Sequence, residues 1–162
     1  MIEIKNLNKI YLKGKKNMVH ALNNINLKID DRETVAIIGE SGAGKSTLLH
    51  IMSCIDNFDG EYYLDNIDIN KLSESKKSKL RSSKIGIVLQ DFALIDDFTV
   101  FENVMTPLYF NKKIKDKKGS VMRALKKTGI ASLKSKKVSQ LSGGQKQRVA
   151  ISRALVTSPE YI

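Results

Sequence analysis

The chain has 162 residues, 41% of them hydrophobic, and a formal net charge of +11, enough apolar material for one globular domain with a real core and too much for global disorder. No apolar run approaches the roughly 20 residues needed to span a bilayer, and the start of the chain, with Glu3 and no apolar segment behind it, does not read as a secretory leader, so a soluble, unexported chain is expected. The single cysteine, Cys54, excludes an internal disulfide and reads as a small buried hydrophobe in a reducing compartment.

Ile2 and Ile4 alternate with Glu3 and Lys5, and Ile25, Leu27 and Ile29 alternate with Asn26 and Lys28, so both stretches predict half-buried strands and the chain opens as antiparallel β. TVAIIG, Thr34 to Gly39, is continuously apolar and predicts a strand covered on both faces. Leu48, Ile51, Met52 and Ile55 recur at helical spacing from Lys45 onward. EYYLDNIDI predicts a strand pair turning at Asp65 and Asn66, KLSESKKSKLRSS a short polar helix, and KIGIVLQ, Lys84 to Gln90, a second buried strand. Thr99 and Glu102 form a capping box, hydroxyl reaching forward and carboxylate reaching back, so a helix begins near Val100, and Pro107 bends or ends it. A further helix carrying Val121, Met122 and Leu125 closes at Gly129. The order strand, helix, strand, then a basic helical insert is an α/β arrangement.

Between the first apolar strand and the first helix lies GESGAGKST, Gly39 to Thr47, which fits the pattern GxxxxGK[ST] through Gly39, Gly44, Lys45 and Ser46. Its glycines, with Gly42, allow backbone turns that point successive N–H groups inward around phosphate oxygens, and the helix N-terminus adds about half a positive charge there. Lys45 is placed to reach outer phosphates and the Ser46 hydroxyl to bind Mg²⁺. A second prepared helix start follows in LSGGQKQR, Leu141 to Arg148. There Ser142 and Gln145 form a capping box, Gly143 and Gly144 keep the N–H groups open, and Val149, Ile151, Ala154 and Leu155 continue the helix.

LSGGQKQRVAISRAL resembles the signature motif of ATP-binding cassette (ABC) transporter ATPases, and GESGAGKST resembles their Walker A loop. ALNNINLKI, YYLDNIDINKLSESK, LRSSKIGIVLQDFALIDDFTVFENVMTPL and SRALVTSPEYI are similar to the subgroup serving macrolide, antimicrobial-peptide and lipoprotein exporters, and the likeness covers essentially the whole chain. It implies a P-loop NTPase core with an antiparallel β subdomain and a helical insert. Residues 1–90 and 138–162 would form the nucleotide-binding core, and about 91–137 the helical subdomain. ATP and Mg²⁺ are the implied cofactors. Tyr11 falls where an aromatic stacks on adenine, and Gly39, Glu40, Ser41, Gly42, Ala43, Gly44, Lys45, Ser46 and Thr47 fall on the phosphate loop. Gln90 falls on the glutamine that holds Mg²⁺ or the attacking water. Members work as a head-to-tail dimer, so Ser142, Gly143, Gly144 and Gln145 would meet the γ-phosphate bound to the other copy.

The resemblance further implies a membrane-subunit partner and a cytoplasmic place on the inner face of the membrane. Between Lys71 and Lys137 stand 17 Lys and Arg against 6 Asp and Glu, and the rest of the chain balances to zero. This block overlaps the helical subdomain, and with 23 of the 28 basic residues lysine and no aromatics interleaved for base stacking, it favours an anionic membrane or acidic coupling loop over nucleic acid.

Two departures from the family pattern stand out: Asp31 and Arg32 occupy a turn where glycine is usual, and Glu40 stands where proline is usual. The Walker B aspartate, the catalytic glutamate and the switch histidine are expected after SPEYI and are not in these residues. Glu160 lies before that strand and is no substitute, His20 and His50 read as structural, and Asp91, Asp96 and Asp97 read as loop or cap residues. Hydrolysis by this chain alone is therefore not expected, and its apolar strands are expected to show open edges. The competing readings are a non-transport ABC ATPase and a nucleotide-binding fragment without catalysis.

Overall fold

The apolar alternation at the N-terminus forms the strands it predicts in the computed structural model, which describes residues 1–111 and 113–162. Strand β1 (Ile2–Tyr11) pairs antiparallel with β2 (Val19–Ile29) on one side and with β3 (Asp59–Leu64) on the other. With β4 (Ile67–Asp68) beyond β3, the sheet order is β2-β1-β3-β4. Ile2 stands opposite both Ile29 and Leu64, and Ile4 opposite Leu27 and Tyr62. Cross-strand pairs at this register put one apolar set on one face, and Ile2, Ile4, Leu7, Leu22, Tyr62 and Leu64 are buried. The turn between β3 and β4 has Asp65 at φ 50° and Asn66 at φ 61°, the two left-handed residues that a tight two-residue hairpin needs.

The β1–β2 ladder is broken at its middle, where the register shifts between Ile4 and Leu7 and again between Leu7 and Lys9. Four asparagines mend it. Asn6 and Asn24 take left-handed conformations, φ 49° and 50°, which asparagine tolerates better than other residues with a Cβ. The Asn6 N–H donates to the side-chain oxygen of Asn26 at 2.9 Å, and the Asn24 N–H to that of Asn8 at 2.9 Å. The amide groups of Asn8 and Asn26 in turn donate to the carbonyls of Asn6 and Asn24.

Helix α1 (Lys45–Met52) follows with Leu48 and Ile51 buried, and the Tyr62 phenol donates to the Met52 carbonyl at 2.7 Å, tying the helix end to the sheet. Cys54 is buried, as its reading as a small hydrophobe expects. These elements belong to a first compact unit, Met1–Lys77.

The two buried strands are where the sequence expectation fails. Residues 34–39 form no strand, and among the described residues none pairs with residues 34–38. Val35 is 42% exposed and Ile38 90%. A continuous apolar run signals suitability for a covered strand, but a strand exists only through a neighbour's ladder hydrogen bonds. In KIGIVLQ, Lys84 is taken into helix α2 (Glu74–Lys84), and only Ile85 bridges, parallel to Tyr161, with the Gly86 N–H donating to the Tyr161 carbonyl at 2.8 Å. Gln90 therefore sits in an exposed turn and not at a strand end.

The second unit, Ser78–Ile162, is helical. Helices α3 (Val100–Phe110), α4 (Lys117–Lys127) and α5 (Gly143–Leu155) enclose a core that includes Val100, Val104, Leu108, Val121, Leu125 and Val149. Both arms of the Thr99–Glu102 capping box are present, and the bonds from the Thr99 N–H and hydroxyl hold the Glu102 carboxyl below its usual pKa. Asp116 caps α4. That helix ends as predicted, with Gly129 at φ 71°, the Gly129 N–H donating to Lys126 and the Ile130 N–H to Leu125, the paired bonds of a left-handed C-terminal cap.

Pro107 does not end α3, which runs on to Phe110. Proline lacks the N–H that would meet the Asn103 carbonyl one turn back. The Thr106 hydroxyl takes its place, donating to that carbonyl at 2.6 Å. Thr106→Val keeps the shape and removes the donor, so it is expected to cost about 1–2 kcal/mol. Urea unfolding of the variant beside the parent measures this, and an unchanged midpoint contradicts the substitute-donor role.

Candidate functional site

The loop before α1 is shaped by two positions that only glycine fills without strain. Gly42 and Gly44 both have φ 83°, and a Cβ on Gly44 would lie 2.3 Å from the Ala21 carbonyl oxygen of β2. The loop can thus lie directly on the strand backbone, with a turn closed by the Ala43 N–H to the Glu40 carbonyl. Gly44 is also the N-cap of α1, and it has no side chain to satisfy the helix's first donors. There is no acidic residue in the first turn, and among the described residues no acceptor takes the N–H groups of Lys45, Ser46 or Thr47. Helix starts normally leave such donors to a cap or a ligand. The Lys45 ammonium folds back over the loop and donates to the carbonyls of Gly39 at 2.8 Å and Glu40 at 2.6 Å. Glu40, Ser41, Ala43 and the Ser46 side chain lie exposed along the same loop.

Tyr11, at the end of β1, is fastened to this helix. Its phenol donates to the Asp56 carboxylate at 2.7 Å and is hydrogen-bonded to the Thr47 side chain. Burial raises the phenol's pKa, and the Asp56 carboxylate adds to the rise against the opposing Thr47 bond. Lys9 stands over the Tyr11 ring, its ammonium 4.9 Å from the centroid. Tyr11, Gly39, Glu40, Ser41, Gly42, Ala43, Gly44, Lys45, Ser46 and Thr47 accordingly all belong to the first unit.

Gln90, Ser142, Gly143, Gly144 and Gln145 belong to the second. The Ser142 N–H donates to the Gln145 side-chain oxygen at 3.0 Å, and the Gln145 N–H to the Ser142 hydroxyl at 3.4 Å. A Cβ on either Gly143 or Gly144 would meet nothing within 4 Å, and neither has positive φ. Glycine inside a helix costs about 1 kcal/mol relative to alanine, so the local fold gives no reason for glycine at these positions, and the first turn of α5 is left bare.

Arg153 is a residue that sequence reading missed. From α5 its guanidinium donates to the Phe92 and Ala93 carbonyls, each at 2.6 Å, two residues after Gln90. Phe92 and Ala93 have φ 62° and 42°, two neighbouring left-handed residues with side chains, each costing on the order of 1–2 kcal/mol. Burial lowers the guanidinium's pKa, opposed by the charge of Asp91. Among the acidic residues nearby, Asp96 pairs with Lys146 at 3.3 Å, as a loop residue would. No group of three or more His, Cys, Asp or Glu able to hold a metal occurs among the described residues.

The model of the ABC transporter family matches residues 22–162. The chain belongs to that family. It is 44% identical over its whole length to an uncharacterized ABC transporter ATP-binding protein, MJ0796, of Methanocaldococcus jannaschii, covering 71% of that protein. It is 42% identical to the macrolide export ATP-binding/permease protein MacB of Mannheimia succiniciproducens, again over the whole chain but only 25% of that protein. To the lipoprotein-releasing system ATP-binding protein LolD of Wigglesworthia glossinidia brevipalpis it is 41% identical, covering 71% of it. A dimeric structure of MJ0796 bound to ADP and Pi superposes with a TM-score of 0.90 at 42% identity, over 98% of this chain and 71% of that one. This ABC chain therefore has the ABC ATPase fold and falls among the relatives of macrolide and lipoprotein exporters. In the Asp31–Arg32 turn, which departs from the usual glycine, Arg32 takes a left-handed backbone, φ 64°.

Two variants test this geometry. Gly44→Ala is expected to destabilise the first unit by about 2 kcal/mol or more, from φ and the clash together, read by denaturant unfolding. Arg153→Ala is expected to free residues 91–94 and raise their amide hydrogen exchange, while adding Ala93→Gly, which relieves the strain, restores part of the lost stability. Unchanged exchange in Arg153→Ala contradicts the clamp.

Proposed function

We propose that this ABC chain binds MgATP and serves as the ATP-binding part of an exporter, working with a membrane subunit at the inner face of the cell membrane. The observation that carries the reading is the bare start of α1. Three N–H groups without acceptors, a lysine and a serine hydroxyl converge on one glycine loop, and that is the donor set a polyphosphate needs. Tyr11 would face adenine. The loop Gly39–Thr47 would wrap the phosphates, with Lys45 moving from its own carbonyls to the outer phosphate oxygens. Ser46 would hold Mg²⁺, whose chemistry is to neutralise the phosphate charge.

The bare first turn of α5 gives the second half of the proposal. Gly143 and Gly144 contribute open backbone, and Ser142 and Gln145 cap it, so Ser142 to Gln145 would meet the γ-phosphate held by a second, head-to-tail copy. The MJ0796 relative is dimeric in its structure, which supports that arrangement. The relatives MacB, a macrolide exporter, and LolD, of a lipoprotein-releasing system, support export of drugs or lipoprotein-like amphiphiles, and peptides are the neighbouring cargo class.

The test is calorimetric titration of the chain with MgATP. Lys45→Ala is expected to weaken binding by about 10- to 100-fold, the worth of a charge-assisted contact, in a chain that urea unfolding shows to be still folded. Equal affinity of the two proteins overturns the site.

A further inference from the structure

We infer that Lys9 is a positioning residue for the base-binding ring: its ammonium closes one face of Tyr11, so that a purine is taken on the opposite face only. The inference rests on the nucleotide reading proposed above and gives a role to a residue that this reading leaves unused. Lys9 and Tyr11 stand two apart in β1, so their side chains leave the strand on the same side. The Lys9 ammonium lies over the ring, 4.9 Å from its centroid. A cation there is held by the electron-rich face of the ring, and a base cannot stack in the space it fills.

The Lys9 side chain is only 13% exposed, whereas a lysine ordinarily keeps its charged end in water. Its ammonium donates to the Asn57 carbonyl and lies 3.7 Å from Oδ1 of Asp56. The other oxygen of that carboxylate, Oδ2, accepts from the Tyr11 phenol at 2.7 Å. One carboxylate thus ties together the ring and the cation that covers it, and the Thr47 side chain holds the same phenol from the phosphate loop. Held at its tip by two partners and covered on one face by a third, the ring has its tilt fixed before a base arrives, which lowers the ordering cost of stacking. Among the described residues, Lys9 has no hydrogen bond or ion pair to residues 39–47, so its effect falls on the base and not on the phosphates.

The experiment compares calorimetric titration of the full chain with MgATP and with magnesium tripolyphosphate, which offers the phosphates without a base. Lys9→Met keeps the apolar stem and removes the charge. It is expected to weaken MgATP binding about 3- to 10-fold and to leave tripolyphosphate binding within about 2-fold of the parent. Lys9→Arg, which returns a cation able to lie over the ring, is expected to recover most of the loss. In a Tyr11→Leu background, Lys9→Met is expected to cost nothing further, because the ring it acts through is gone. Equal loss of both ligands, unchanged MgATP affinity in Lys9→Met, or an undiminished effect in the Tyr11→Leu background overturns the inference and leaves the nucleotide site standing. Failure of the parent chain to bind MgATP overturns the nucleotide reading itself, and the inference with it.

Discussion

Between the Gly44 α-carbon and the Ala21 carbonyl there is no room for even a methyl group, and the arrangement of the first unit follows from that close approach. Because the loop lies on the strand backbone, α1 begins there with its first donors bare, and Leu48 and Ile51 reach the buried layer one turn later. The same seating brings Thr47 to the Tyr11 phenol and sets Asp56 opposite it. Tyr62 then fixes the far end of the helix to the sheet. A helix held at both ends keeps its N-terminal dipole aimed at one point, which a surface loop alone would not do.

The second unit solves the same problem differently. Its helices are fixed by capping side chains at the start of α3, α4 and α5 and by a common core, and the loop after Gln90 is held by the Arg153 guanidinium and not by a ladder. Strain in two adjacent residues is tolerated because a charged donor spans both carbonyls. The glycine loop in one unit is thus set by steric closeness, and the loop after Gln90 in the other by charge-assisted bonds.

Local patterns carried most of what could be read from the chain. The half-buried strands, the Asp65–Asn66 turn, both capping boxes and the Gly129 helix end depend on residues within a few positions of one another, and each is present. TVAIIG failed because pairing is a property of a distant neighbour, which no apolar run encodes. The Asn6, Asn8, Asn24 and Asn26 set was hidden for a related reason: its logic is visible only once two strands are in register. Arg153 looked like one more basic residue on a helix, since nothing near it in sequence marks the carbonyls it serves. Pro107 misled in the opposite sense, because its neighbour Thr106 supplies the donor that proline lacks. For the candidate site, the glycine loop and the signature string were legible as chemistry, whereas Lys45 folding onto its own loop was not.

That last contact gives the loop a threshold. With its ammonium already held by two carbonyl oxygens, Lys45 is not a bare charge awaiting any anion. An incoming group must offer stronger acceptors than two neutral carbonyls before the side chain lets go. In the proposed role, a monovalent ion such as chloride would bring too little to the exchange, while a chain of phosphates would supply charged oxygens both to the lysine and to the open N–H groups beside it. In the proposed nucleotide-binding role, the loop would therefore select by charge density before shape.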